Sequence, residues 1–239
     1  MSARSFWEDP EVVARFATRA ADHRLVQLIQ AQDVRHWRVL DVGCAAGRNT
    51  VYLAERGFEV IALDASQAMV AKTRERLQGL LPEAEVARRV LWGRMEDLPF
   101  PGASFDLVIA LGVYQDAPSF ALWRQALGES ARVLKPGGLC LVAQFAPDHQ
   151  PHGKQARPVP GEAHVFVGAS RDDNRRLTLL TAAELDGYAA QYHLHPVVPT
   201  EQVRRDTQAG YRSTVNALYR KRAESRAENA AVSEGGARP

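Results

Sequence analysis

The run Val39-Leu40-Asp41-Val42-Gly43-Cys44-Ala45-Ala46-Gly47-Arg48-Asn49 holds the residues whose types and spacing most clearly imply chemistry. Small residues between a buried strand and a helix let the backbone come close to a ligand, whose polar groups can meet unpaired amides at the helix start. About twenty residues later, at the distance where a ribose-binding acid stands in nucleotide folds, Asp64 ends a second apolar run. A carboxylate there can accept both ribose hydroxyls. Turn and acid together imply a nucleoside ligand.

Asp41 narrows the type. A dinucleotide would bring a pyrophosphate against the turn, where a carboxylate two residues before Gly43 is repulsive; an aminoacyl-nucleoside brings an ammonium, which it attracts. The G-x-G-x-x-G order is also missing, since Ala45 stands where the second glycine is needed. A nicotinamide or flavin ligand therefore ranks below an aminoacyl-nucleoside.

Residues for a second substrate are less sharply marked. Tyr114 and Gln115 follow the fourth apolar run, where open parallel sheets bind ligands, and are read as lining an acceptor pocket. His149, His152 and His164 fall in one irregular segment without metal-type spacing. They are read as solvated loop histidines, with only His164, beside Val165 and Phe166, kept as a contact of a closing loop. No metal site is expected.

These residues need a scaffold, and the periodicity supplies one. Short buried strands are expected at Arg38 to Val42, Glu59 to Leu63, Arg89 to Trp92, Phe105 to Leu111 and Leu139 to Phe145. Helices are expected at Pro10 to Ala31 with a break near Ala20, Asn49 to Arg56, Ser66 to Gln78 with Ser66 as N-cap, Phe120 to Leu134, and Thr181 to Gln191. Strands at His195 to Val198 and Ser213 to Tyr219 close the pattern. The reading is an α/β fold, a Rossmann-like doubly wound sheet of about seven strands, mostly parallel with an antiparallel C-terminal strand. One domain spanning residues 1–220 is expected, with a tail over 221–239 too poor in large apolar residues to order. Residues 146–176, broken by Pro147, Pro151, Pro158 and Pro160, are expected to be a structureless lid or substrate loop.

Composition sets outer bounds. Thirty basic against 28 acidic residues give a formal charge of +2, too little to attract nucleic acid or an anionic membrane over the whole surface. Cys44 and Cys140 stand in strand-like contexts as reduced thiols, and no apolar run approaches a membrane span. A cytoplasmic protein, monomer or homodimer, is expected, with no nucleic-acid or membrane partner.

The Asp-x-Gly-x-Ala-x-Gly turn with Asp64 resembles motif I and the following acidic position of class I S-adenosylmethionine-dependent methyltransferases. Gly93 to Phe100, Ser104 to Val108 and Arg132 to Gly138 agree with it, so the resemblance covers roughly residues 10–220. It implies S-adenosylmethionine as cofactor, S-adenosylhomocysteine as product and a small-molecule acceptor. By position, Asp41 and the Gly43, Cys44 and Ala45 backbone would face the methionine amino and carboxylate groups, with Asn49 in the same shell. Asp64 would hold the ribose, Ala65 and Met69 the adenine edge, Met95 and Glu96 the adenine amine and ring nitrogen, and Leu111 would lie near the sulfonium. Arg19 would pair with the cofactor carboxylate. Arg94 departs from the family, standing where many relatives carry an acid, which moves the adenine contact to Glu96.

A narrower likeness joins Gly47 to Ala54, Ala183 to Tyr188 and Glu201 to Leu218 to the tellurite-resistance and thiopurine-type branch. There a His-Arg pair and a later Arg lie near the acceptor; here Val203-Arg204 and Arg212 occupy the similar stretch, and the absent histidine argues against an oxyanion as the methylated group. Arg204, Arg205 and Arg212 either hold an anionic acceptor or form a solvated basic edge. The competing functions are a non-catalytic S-adenosylmethionine-binding regulator and, below it, an NAD-dependent dehydrogenase. Asp64→Ala is expected to weaken the cofactor and leave the ligand-free fold unmoved.

Overall fold

In the computed structural model, residues 6–223 are described apart from 32–33, 35 and 171–173, so most of the expected tail lies outside the described residues. Strands β1 (Arg38–Val42), β2 (Glu59–Asp64), β3 (Val90–Trp92), β4 (Phe105–Leu111) and β5 (Leu134–Phe145) pair in parallel. The order is β10-β11-β5-β4-β1-β2-β3, where β10 (Glu201–Thr207) and β11 (Gly210–Lys221) form an antiparallel hairpin and β9 (Leu194–Pro196) also pairs with β11. The Rossmann-like reading holds, with one more strand in the hairpin than the sequence pattern implied.

Both faces of the sheet are covered because its central strands are apolar on both. Leu40, Val108, Cys140 and Val142 face Trp123 and Leu127 of α6 (Phe120–Val133) and Leu185 of α7 (Ala182–Ala190). Val39, Leu107, Ile109 and Leu141 face Leu25 and Leu28 of α2 (His23–Gln30) and Leu53 of α3 (Arg48–Ala54). The N-terminal helical pattern does break as expected: α1 (Pro10–Ala17) ends before Asp22, which caps α2 through Arg24 N–H. Helix α4 (Gln67–Leu77) starts at Ser66, whose hydroxyl accepts from Met69 N–H.

Three expectations need correcting. A helix, α5 (Glu83–Arg89), stands between the expected helix ending at Gln78 and the next strand, where no element was expected; only Val86 in it is buried. Strand β5 begins at Leu134 and not at the expected Leu139, with an irregularity over residues 135–138 between the Phe105 and Leu107 pairings, where Lys135 Nζ donates to both Asp106 oxygens at 2.9 Å. Residues 146–176 are not structureless: β6 (Arg157–Pro158), β7 (Val165–Val167) and β8 (Leu177–Thr178) make a small antiparallel sheet. Its buried Ala156, Ala169, Leu177 and Leu179 pack with Phe145 at the end of β5. Among the described residues no helix is long and apolar enough to cross a membrane.

Candidate functional site

The turn after β1 is left-handed at three of five residues: Gly43 at φ 69°, Ala45 at 49° and Gly47 at 79°. Glycine is required at the first. A Cβ on Gly43 would lie 2.4 Å from Val113 Cγ2, so the β1 turn and the segment after β4 touch with nothing between them. Gly43→Ala is expected to cost about 2 kcal/mol of stability, from the left-handed backbone and the overlap together. Adding Val113→Ala should recover the overlap part in denaturant titration, and no recovery would mean that Val113 is not the obstacle.

The amides of Gly43, Cys44 and Ala45 are already spent inside the protein. Gly43 N–H and Cys44 N–H both donate to Leu63 O, at 2.8 and 3.1 Å, and Ala45 N–H donates to Asp64 Oδ2 at 2.8 Å. Among the described residues no donor reaches the Gly43 carbonyl. Asp41 lies below it, 2 % exposed, its Oδ2 accepting from Thr50 Oγ1 at 2.7 Å. Burial pushes its carboxyl up to about 6, against the Thr50 bond and the Arg48 charge. The corner therefore offers a carbonyl and a carboxylate. It suits an ammonium and repels a phosphate.

Asp64 is the hinge of the site. Its Oδ1 accepts Ser66 N–H at 2.9 Å while Oδ2 holds Ala45, so one carboxylate ties the glycine turn to the start of α4. Burial raises its pKa, opposed by those two amides. A carboxylate has about four acceptor positions, so two remain for a diol. Two backbone donors depend on this carboxylate, so Asp64→Ala bears on the ligand-free fold as well as on the cofactor.

The N-terminal segment roofs this corner. Ser66 Oγ donates to Trp7 O at 2.9 Å, and Glu8 accepts Gln67 N–H and Ala68 N–H. Met69 is fully buried beneath Val12, Trp7 and Phe16, so its side chain packs this roof. Asn49 Oδ1 accepts Asp22 N–H at 2.9 Å and thereby fixes the loop that carries Arg19. Arg19, half-buried over the Phe16 ring, has its pKa lowered by burial and then by Arg48, Arg212 and Arg15.

At the β2–β3 edge, Ala65 O accepts from Trp92 Nε1 at 2.9 Å, and Met95 packs on the core. Glu96 is 7 % exposed and holds Arg94. The residue that departs from the family pattern thus pairs with the acid that replaces it. Leu111 is half-buried at the end of β4.

On the acceptor side the predicted residues separate. Tyr114 turns into the core against Trp123 and donates to Ser130 Oγ at 2.7 Å, so it does not face an open pocket. Gln115 is 3 % exposed; its Nε2 donates to Gly112 O, and its Oε1 has no partner. His164 leaves the loop to sit against Phe120 and Tyr188, with Nε2 3.1 Å from the Tyr188 hydroxyl. Arg204 and Arg212 are not brought together. Arg204 pairs with Asp148 and covers Tyr211, whereas Arg212 stands opposite Arg205 on the other face of the hairpin.

Sequence reasoning missed two groups. Asp116 is bound by Arg175 at 2.5 Å, and that guanidinium also lies over the Phe6 and Trp7 rings, so residue 175 joins the 146–176 excursion to the roof. Burial pushes Asp116 up to about 6, against Arg175. His149, read as solvated, is 2 % exposed and stacked on Phe145 at 3.7 Å. Neither has a local sequence signal, since both depend on what a distant segment covers.

Residues 40–142 match the family described as methyltransferase domain. A malonyl-[acyl-carrier protein] O-methyltransferase of Enterobacter lignolyticus is 32% identical over 58% of this chain and 51% of its own length. A demethylmenaquinone methyltransferase of Beutenbergia cavernae is 36% identical over 46% and 41%. The matches to these relatives thus span about half of their length or less. The 1,6-didemethyltoxoflavin-N1-methyltransferase of Burkholderia thailandensis, solved with S-adenosylhomocysteine bound, superposes with a TM-score of 0.64 at 21% identity, covering 87% of this chain and 81% of that one, which shows the shared fold. Over residues 40–142, which hold the glycine turn, Asp64 and the central parallel strands, the chain is thus similar to the methyltransferase domain family of the type 11 branch.

Proposed function

We propose that this chain transfers the methyl group of S-adenosylmethionine to a small molecule. The observation that carries the reading is the start of the β1 turn: the Gly43, Cys44 and Ala45 amides are taken by Leu63 O and Asp64, which leaves the Gly43 carbonyl and the Asp41 carboxylate at that corner. That set fits the amino group of an aminoacyl-nucleoside and not a pyrophosphate. Asp64 then holds the ribose with its remaining lone pairs, Glu96 receives the adenine amine beside Arg94, and Arg19 answers the cofactor carboxylate.

When bound, the cofactor supplies a sulfonium methyl for an in-line displacement, which asks chiefly for alignment and a dry site. The protein's part is to orient and to exclude water. The small sheet of β6, β7 and β8 packs on Phe145, and Arg175 bridges it to Asp116 and the N-terminal rings, so the 146–176 segment serves as the cover of the acceptor side. Gln115, with its unpaired Oε1, and His164 contribute to that side.

S-Adenosylhomocysteine is expected to bind in calorimetry at least about 100-fold more tightly than NAD, the penalty of setting two phosphate charges against buried Asp41. Tight NAD binding without S-adenosylhomocysteine binding would sink the reading of Asp41 and with it the proposed reaction. Binding without transfer to thiols, amines, phenols or carboxylates would favour the regulator instead.

A further inference from the structure

We propose that the free edge of β10 is a homodimer interface, on which a second copy of this chain pairs antiparallel about a two-fold axis at Val203, with Glu201 of each copy against Arg205 of the other.

Strand β10 ends the sheet order, and among the described residues no strand pairs with its outer side. It runs seven residues in unbroken register with β11, mostly exposed and without a bulge or a proline. Which of its backbone groups stay unpaired follows from β11. Tyr211 exchanges both of its backbone bonds with Gln150, at 3.1 and 3.2 Å, while Ser213 O accepts from Ala146 N–H at 3.1 Å and Ser213 N–H donates to His149 Nδ1. Both residues therefore turn their backbone groups away from β10. Their opposites Asp206 and Arg204, and by alternation Gln202, direct N–H and C=O to the open edge. Such a row is a template for another strand, and edges that must stay single carry bulges, prolines or repelling charges.

Here the charges fit a copy of themselves. A two-fold antiparallel pairing has to bond the outward groups to one another, and an axis at Val203 does so by setting Gln202 of each copy against Arg204 of the other. Glu201 then stands opposite Arg205 on both sides of the axis, in the non-hydrogen-bonded positions where cross-strand side chains come closest. No like charges meet. An axis at Arg204, Arg205 or Asp206 sets that residue against itself, and one at Gln202 leaves Glu201 without a basic mate. The chosen register also answers a cost inside the monomer, where Arg205 is paired directly with Arg212. Glu201 of the other copy brings the opposite charge to it.

A second observation points to the same edge. Val197 and Val198, 43 % and 55 % exposed, precede β10, and Val197 N–H donates to Leu218 O of β11, so these valines continue the edge. The register carries the 208–209 turn of the other copy toward them, which removes apolar surface from water. Two eight-stranded sheets become one.

Sedimentation of the full chain over a concentration series is expected to show a monomer–dimer equilibrium in about the micromolar range, the strength of a small interface. Arg205→Glu should weaken the dimer at least about ten-fold without lowering the melting temperature, because it sets acid against acid across the axis while removing the Arg205–Arg212 pair. Adding Glu201→Arg should restore the dimer. Under mild oxidation Val203→Cys should cross-link, since residues facing each other at the axis lie within the Cα separation that a disulfide spans. Arg204→Cys should not, and Cys44 and Cys140 are buried, so the unsubstituted chain gives the background. A chain that stays monomeric throughout, or a dimer indifferent to Arg205→Glu, overturns the proposal. So does a double variant that fails to recover, or cross-linking of Arg204→Cys in place of Val203→Cys, because the axis then lies elsewhere. None of these measurements involves the cofactor, so they stand apart from the methyl-transfer reading.

Discussion

Asp64→Ala is expected to lower the affinity for S-adenosylhomocysteine by about 4 kcal/mol, close to a thousand-fold, as two hydrogen bonds from a ribose to a charged acceptor are lost. It should also destabilise the ligand-free protein by about 1 kcal/mol, since Ala45 N–H and Ser66 N–H lose their acceptor while a buried charge is relieved. Asparagine is no remedy. Both carboxylate oxygens accept backbone protons, and an amide must turn its NH2 toward one of those donors. Calorimetry and urea titration of Asp64→Ala and Asp64→Asn read the two effects separately. Unchanged affinity in both variants would remove the ribose role; unchanged stability would mean that the two amides find water instead.

The framework of this site was legible because its parts are local. Each parallel strand is a short apolar run, and Ser66 and Thr181 mark helix starts by a side chain that caps its own helix. Helix α5 escaped because it has almost no apolar face: Val86 alone is buried, and Glu85 reaching Arg89 at 2.8 Å does the work that a buried stripe does elsewhere. Strand β10 escaped for the opposite reason to β4. It is an edge strand, exposed at most positions, so it lacks the alternation that burial of one face imposes.

The acceptor side was less legible because it depends on register and on covering segments. Arg204 and Arg212 look like partners in sequence, yet a strand alternates faces every residue, and only the pairing Arg205 with Arg212 decides which arginines share one. His149 lies among prolines that suggest exposure; the turn at 150–153 instead locks onto the 207–210 turn, where a Cβ on Gly210 would lie 2.1 Å from Gln150 O. Tyr114 was drawn toward the pocket by its position after β4, but a single 3-10 turn, Tyr114–Asp116, rotates it onto Trp123 and leaves Gln115 and Asp116 nearer the site.

Asp41→Asn should separate function from stability, moving them in opposite directions. The Asp41 carboxyl sits at about 6 in the fold against 3.8 for the ordinary group, chiefly through burial. The native state therefore holds this proton more tightly than the unfolded chain does, and wild-type stability falls as pH rises between those two values, then stays level. Above that window the buried charge costs about 3 kcal/mol, from roughly two pKa units at 1.36 kcal/mol each. Asparagine keeps an oxygen for the Thr50 hydroxyl and carries no charge, so the variant should be the more stable protein near neutrality by about 2–3 kcal/mol, with the advantage vanishing below about pH 4. Its affinity for S-adenosylhomocysteine should fall about ten-fold, because the ammonium loses its counter-charge. Urea titrations from acid to neutral pH, paired with calorimetry, check both. A variant no more stable than wild type at neutral pH would mean that the Asp41 charge is already compensated by Arg48, and the ammonium would need another partner in this corner.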